Sequence, residues 1–134
     1  EKRFYILDLL QKKLLLSTYV AHGRGSGDNY AVAFSNRPGS YQSSLGFFRT
    51  GDTYMGKNGY SLFLNGLEKG INDKARERAI VVHGANYADP AVLKGQQRLG
   101  RSLGCPALPP DISKQVIDTI KGGVLLYIYG LNKA

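Results

Sequence analysis

The chain has 134 residues, 43% of them hydrophobic and 21% charged, which fits one domain spanning 1–134 with its own core and argues against disorder. Eighteen Lys and Arg against ten Asp and Glu leave a net charge of +8, suited to polyanions, yet the basic groups "QKKL" and "DKARERA" carry no interleaved aromatics, so they read mainly as a solvated face and only secondarily as a nucleic-acid surface. No apolar run approaches the ~20 residues of a membrane span, and a single cysteine excludes an internal disulfide and a cysteine-rich zinc site.

In chain order, "RFYILDLLQKKLLLSTYVAHG" predicts two strands joined by a tight turn near Gln11 to Lys13. "GRGSGDN" breaks the pattern, "YAVAFS" predicts a further strand, and "NRPGSYQSS" is a loop of turn formers. "LGFFRTG" and "YSLFLNG" are short strands, and "NDKARERA" predicts one or two polar helical turns with Asn72 or Asp73 as N-cap. "AIVVHG" is a short buried strand ending at His83–Gly84, followed by a connection from Ala85 to Gly100. "DISKQVIDTIKGG" is the clear helix, capped by Asp111, apolar at Ile112, Val116, Ile117 and Ile120, and ended by Gly122. "VLLYIYG" is the closing strand. The expected fold is mainly β with one or two short helices, and seventeen glycines agree with its many turns.

Cys105 is the one thiol, and His22 and His83 are the two imidazoles. Cysteine catalysis needs a base to make the thiolate and donors for the oxyanion formed on attack at a carbonyl. His83 ends an apolar β-branched strand, and the connection to Cys105 is long enough to fold back and bring the two together. Gly104 lacks a side chain, so backbone N–H groups at Leu103, Gly104 and Cys105 can converge on an oxyanion. From the residues alone the plainer reading takes precedence: Cys105 as a small core side chain and His83 as a hydrogen-bonded core histidine. A zinc site of His22, His83 and Cys105 is a further alternative, without supporting ligand spacing. "GRGSG" lacks the Gly-Lys-Ser/Thr ending of a phosphate loop.

"HGRGSG", "SSLGFFRTG", "NGYSLFLNGLEKGINDKARERAIVVHGANY" and "RLGRSLGCPALP" together resemble the L,D-transpeptidase catalytic domain (YkuD type), in its murein L,D-transpeptidase subgroup. The signature pieces are His83–Gly84 on a strand and the S-x-G-C element Ser102–Leu103–Gly104–Cys105. The resemblance implies an L,D-transpeptidase-like β-sandwich or barrel. It implies Cys105 as nucleophile, His83 as base, the Gly84 carbonyl orienting the imidazole, and the backbone of Leu103, Gly104 and Cys105 as oxyanion hole. Arg101, Ser102, His22, Tyr60 and Ser44 are the candidate substrate contacts.

The implied reaction passes a peptidoglycan tetrapeptide stem through a thioester, releasing D-Ala, to an amine or to water. It needs no cofactor and no metal. A monomeric enzyme of the periplasm or extracytoplasmic cell envelope is expected, exported, and the sequence, which opens at Glu1 with no Met and no signal peptide, reads as a processed or trimmed form. Carbapenems are expected to acylate the thiol. The alternatives are an L,D-carboxypeptidase or related thiol hydrolase, a non-enzymatic wall-binding module, and a basic nucleic-acid-binding domain. The sequence departs from the family at Leu103, where a second His is usual, and at Ala107, where an Arg is usual. Arg101 is the nearest substitute for that Arg, with Arg98 and Arg78 behind it.

Overall fold

Alternation in "FYILD" points Phe4 and Ile6 inward and Tyr5 and Leu7 to solvent, as a strand with one buried face requires. This strand, β1 (Phe4–Asp8), pairs antiparallel with β2 (Lys13–Thr18). Asp8 Oδ1 accepts the Gln11 N–H at 3.0 Å and closes the turn between them. The computed structural model describes residues 2–28, 30–94 and 99–131.

A second sheet holds five strands in the order β6-β5-β4-β3-β7. They are β3 (Gly46–Gly56), β4 (Gly59–Gly66), β5 (Val81–Gly84), β6 (Ala107–Leu108) and β7 (Leu125–Ile128). The β5–β6 pair is parallel and the others antiparallel. The helix α1 (Pro110–Ile120) buries Val116, Ile117 and Ile120. These pack with Phe4, Ile6, Phe48, Leu62, Leu64, Val82 and Leu108 in one core. Each such side chain stabilises the fold by about 1.5–3 kcal/mol when fully buried. Beyond β2 the chain runs along the free edge of β6, with Ala21 bridging Ala107 and Gly23 bridging Ser102. That contact joins the two sheets, so the fold is mainly β, a curled sheet system with a single α-helix among the described residues.

Several local expectations are corrected. "YAVAFS" forms no strand: the Val32 and Ala33 N–H groups both donate to the Ser26 carbonyl and Ser35 N–H to that of Ser43, so loops take the bonds a ladder needs. "NDKARERA" is a run of turns rather than helix. Asn72 caps nothing there, because its side chain accepts from Glu68 N–H and donates to the carbonyls of Leu45 and Phe47. Asp73 instead accepts from Gly70 N–H and from the Asn36 side chain. Asp111 lies within the first turn of α1, after Pro109 at the N-cap and Pro110 at the first helical position. The strand expected at "LGFFRTG" continues to Gly56 and turns back through Lys57–Asn58. The 85–100 connection contains short 3-10 turns at Asn86–Ala88 and Pro90–Lys94.

Candidate active site

The outward N–H groups of β5 and its extension reach towards the segment that carries the thiol. Val81 N–H donates to Cys105 Sγ at 3.4 Å, His83 N–H to the Pro106 carbonyl at 3.4 Å, and Ala85 N–H to the Leu108 carbonyl at 2.9 Å. Sulfur thus occupies the place of a ladder carbonyl. Cys105 Sγ also donates to the Ala79 carbonyl at 3.5 Å. On the same strand, two positions beyond Val81, the His83 side chain is 3% exposed. Its Nδ1 lies 2.9 Å from the Gly84 carbonyl. A carbonyl can only accept, so Nδ1 carries a proton, and in the neutral imidazole the lone pair then falls on Nε2. Gly84 is packed too closely against Ser113 and Pro110 of α1 to bear a side chain.

Ser102 shapes the turn that presents Cys105. Its Oγ donates to the Cys105 carbonyl at 2.6 Å and accepts the Gly104 N–H at 3.1 Å. Gly104 has φ +125, a conformation open essentially to glycine alone. A Cβ there would meet Ile80 Cδ1 at 2.9 Å and the Gln42 carbonyl at 3.1 Å. Gly23 packs against Gly104 from the other side, so the glycines of "GRGSG" admit the turn before Cys105 and the 40–41 loop. Leu103 is 56% exposed at the tip.

Burial pushes the Cys105 thiol up from its ordinary value, opposed by the Val81 N–H and by the Arg78 guanidinium. Burial likewise lowers Arg78, with Cys105 acting in the opposite direction. Tyr87 is pushed up to about 12, by burial first and then by Cys105. Burial also lowers His22, whose Nε2 donates to the Gly27 carbonyl at 3.1 Å and whose buried Nδ1 has no hydrogen-bond partner among the described residues.

The sequence candidates separate into three groups. Cys105, His83, Gly84, Ser102, Leu103 and Gly104 share the β5–β6 edge and its entering turn. Arg101 and His22 flank them: the His22 carbonyl accepts the Ser102 N–H, and Arg101 Nη1 reaches the Gly27 carbonyl at 3.4 Å and Asp28 at 3.8 Å. Ser44 and Tyr60 are engaged elsewhere. Ser44 Oγ donates to the Ser35 carbonyl and accepts from Arg78, and the Tyr60 hydroxyl donates to Asp118 of α1 at 2.6 Å. Ala107 is fully buried, paired with both Ala21 and His83, so this position holds no side chain towards a ligand. Arg98 lies outside the described residues. Among the described residues no three His, Cys, Asp or Glu gather as metal ligands, so His22, His83 and Cys105 do not form the alternative zinc site.

Two neighbours of the thiol are absent from the sequence-based reading of the catalytic group. Arg78 has a weak signal, a charged residue immediately before an apolar strand. Tyr87 has none, since it lies in a connection without periodicity. Among the described residues no helix is long and apolar enough to cross a membrane.

The L,D-transpeptidase catalytic domain family profile matches residues 1–129. Among solved structures, an L,D-transpeptidase from Mycobacterium smegmatis is similar at TM-score 0.53 and 12% identity, over 88% of this chain and 50% of that one. A structure of an LD transpeptidase in complex with imipenem is similar at TM-score 0.49 and 14% identity, over 87% and 50%. The chain therefore spans about half the length of these solved relatives. No curated protein matches. With the family profile covering all but its last few residues, the chain belongs to the L,D-transpeptidase catalytic domain family.

Proposed function

We propose that the chain is the catalytic domain of a peptidoglycan L,D-transpeptidase of the bacterial envelope, with Cys105 as nucleophile and His83 as general base. The observation that carries this reading is the shared edge of β5. The thiol accepts the Val81 N–H, and His83, two residues further along the same strand, has Nδ1 held by the Gly84 carbonyl, which leaves Nε2 of the neutral imidazole to accept a proton.

In the proposed cycle, His83 Nε2 takes the Cys105 proton. The thiolate attacks the carbonyl between the third stem residue and the terminal D-Ala. Backbone N–H groups of the 103–105 turn stabilise the oxyanion, with Gly104 N–H exchanging its Ser102 Oγ acceptor for it. The imidazolium then protonates the departing D-Ala amine, leaving a thioester. An acceptor amine attacks the thioester, gives its proton to His83, and departs as an amide while the thiol reforms. Water in place of the amine makes the same chemistry an L,D-carboxypeptidase.

Arg101 is proposed to meet a stem carboxylate. It lies beside the turn before Cys105, and its contacts among the described residues are the long ones to Gly27 and Asp28. The net charge of +8 favours approach of carboxylate-rich stems.

The test is incubation with disaccharide-tetrapeptide. A cross-linked dimer with released D-Ala supports the transferase, and tripeptide with D-Ala supports the hydrolase. Absence of both from folded wild-type protein, or turnover undiminished in Cys105→Ala, overturns the proposal.

A further inference from the structure

Arg78 carries a positive charge beside the nucleophile turn that no carboxylate among the described residues pairs with. Nη1 donates to the Ser35 carbonyl and to Ser44 Oγ, both at 2.8 Å. Nη2 donates to Ser40 Oγ at 3.2 Å and to the Gln42 carbonyl at 2.8 Å. All four acceptors are neutral. A guanidinium has five N–H donors, so this clamp leaves only Nε–H without an acceptor among the described residues. Such a group is poorly suited to seize a substrate carboxylate in a fork, and well suited to remain a fixed charge.

Its location gives that charge a purpose. Nη2 lies 3.5 Å from where a Gly104 Cβ would stand, directly behind the residue that precedes the nucleophile. The next residue, Ala79, has φ +56, unfavourable for a residue with a β-carbon. That bend aims the Ala79 carbonyl at Cys105 Sγ, 3.5 Å away. The resting thiol therefore has an acceptor for its proton on one side, and the Val81 N–H and the Arg78 charge as the groups that favour its anion.

We infer that Arg78 is a positioning residue that supplies the fixed counter-charge of the Cys105 thiolate, held in place by the 35–44 loop and the Ala79 bend. This rests on the reading of Cys105 as nucleophile. Once the proton leaves, the Ala79 carbonyl loses its donor and repels the sulfur, while Arg78 and Val81 N–H attract it. The charge offsets the burial that otherwise keeps the thiol protonated.

The test is the rate of Cys105 alkylation by iodoacetamide as a function of pH, measured without any wall substrate. The proteins compared are wild type, Arg78→Gln, Arg78→Lys and Arg76→Gln. Arg76 lies over the Phe63 ring and provides the same loss of charge at another place. Arg78→Gln is expected to move the midpoint up by about one pH unit, a roughly tenfold slower reaction on the acid side, as for loss of one close opposite charge. Arg78→Lys is expected to remain nearer wild type, and Arg76→Gln to leave the midpoint in place.

A folded Arg78→Gln protein with the wild-type midpoint overturns the inference, as does an Arg76→Gln shift of equal size. If Arg78→Gln does not fold, the wild-type ratio of iodoacetate to iodoacetamide rates decides. A ratio several times that of free N-acetylcysteine, kept in Arg76→Gln, supports a fixed local cation, and a ratio at or below the free thiol overturns it. A shifted midpoint without cross-linking keeps the role of Arg78 and removes the transpeptidase. Cross-linking with an unshifted midpoint does the reverse.

Discussion

Replacing Gly104 by Ala perturbs the turn before Cys105 in two separable ways. The first is conformational: at φ +125 a β-carbon is strained whatever the surrounding space, at a cost of about 1–3 kcal/mol. The second is steric. The new methyl would approach Ile80 Cδ1 at 2.9 Å and the Gln42 carbonyl at 3.1 Å. The Ile80 methyl is a side-chain end and can turn aside. The Gln42 carbonyl is backbone, fixed by Arg78 Nη2 at 2.8 Å, and cannot. Overpacking of this kind adds about 1–3 kcal/mol. The sum, ~2–6 kcal/mol, corresponds to a fall in Tm of roughly 6 °C or more for a domain of this size.

Gly39→Ala is the internal comparison, because Gly39 also has positive φ, at +78, but nothing lies within 4 Å of its added methyl. It carries the conformational cost alone. Thermal unfolding by circular dichroism reads both variants. Equal Tm losses for Gly104→Ala and Gly39→Ala, or a Gly104→Ala protein melting within a degree or two of wild type, would refute the argument that the turn is closed around a missing side chain.

Three further outcomes are expected. Ser102→Ala removes the bridge between Gly104 N–H and the Cys105 carbonyl; unfolding in urea should show a loss of about 1–3 kcal/mol, and an unchanged midpoint would mean the bridge contributes nothing. His22 is held below its ordinary value chiefly by burial, with Arg3 and Arg101 adding to this and the Gly27 carbonyl opposing it. The unfolded chain therefore binds the proton more readily, and stability is full above the unfolded value of 6.5 and declines as pH falls through it. His22→Asn should flatten that part of the Tm-against-pH curve, and an identical slope in the variant would exclude His22 as its source. His83→Ala should lower acyl transfer by roughly 10²–10⁴ while leaving Cys105 open to alkylation at high pH; retention of wild-type transfer would remove His83 as the base.

How much was legible in the sequence follows from where the governing bonds lie. β1, β4 and α1 declare themselves because their apolar residues fall on the face they bury, β5 because it is a short apolar run buried along its length, and β2 by its leucines although Leu14 and Leu15 stay exposed. "YAVAFS" has the same apolar character, yet its donors find the carbonyls of Ser26 and Ser43 in other loops, which no local pattern announces. "NDKARERA" has helical composition, but the Asn72 side chain is drawn onto the β3 approach and Ala79 breaks the run at positive φ. Cys105 and His83 stand out as chemically capable residues. Their relation to β5 depends on a two-residue strand, Ala107–Leu108, too short to be read in advance. The Arg78 clamp was hidden for the same reason, since its acceptors are serines and backbone carbonyls of a loop whose composition says only that it turns.

The central claim is that Cys105 accepts an acyl group. Intact-mass measurement after brief exposure to a carbapenem, an acylating agent that mimics the stem's terminal amide, tests it most directly. The account predicts a single adduct on the wild-type protein and none on Cys105→Ala. Folded wild-type protein that stays unmodified, or an adduct that persists in Cys105→Ala, contradicts it.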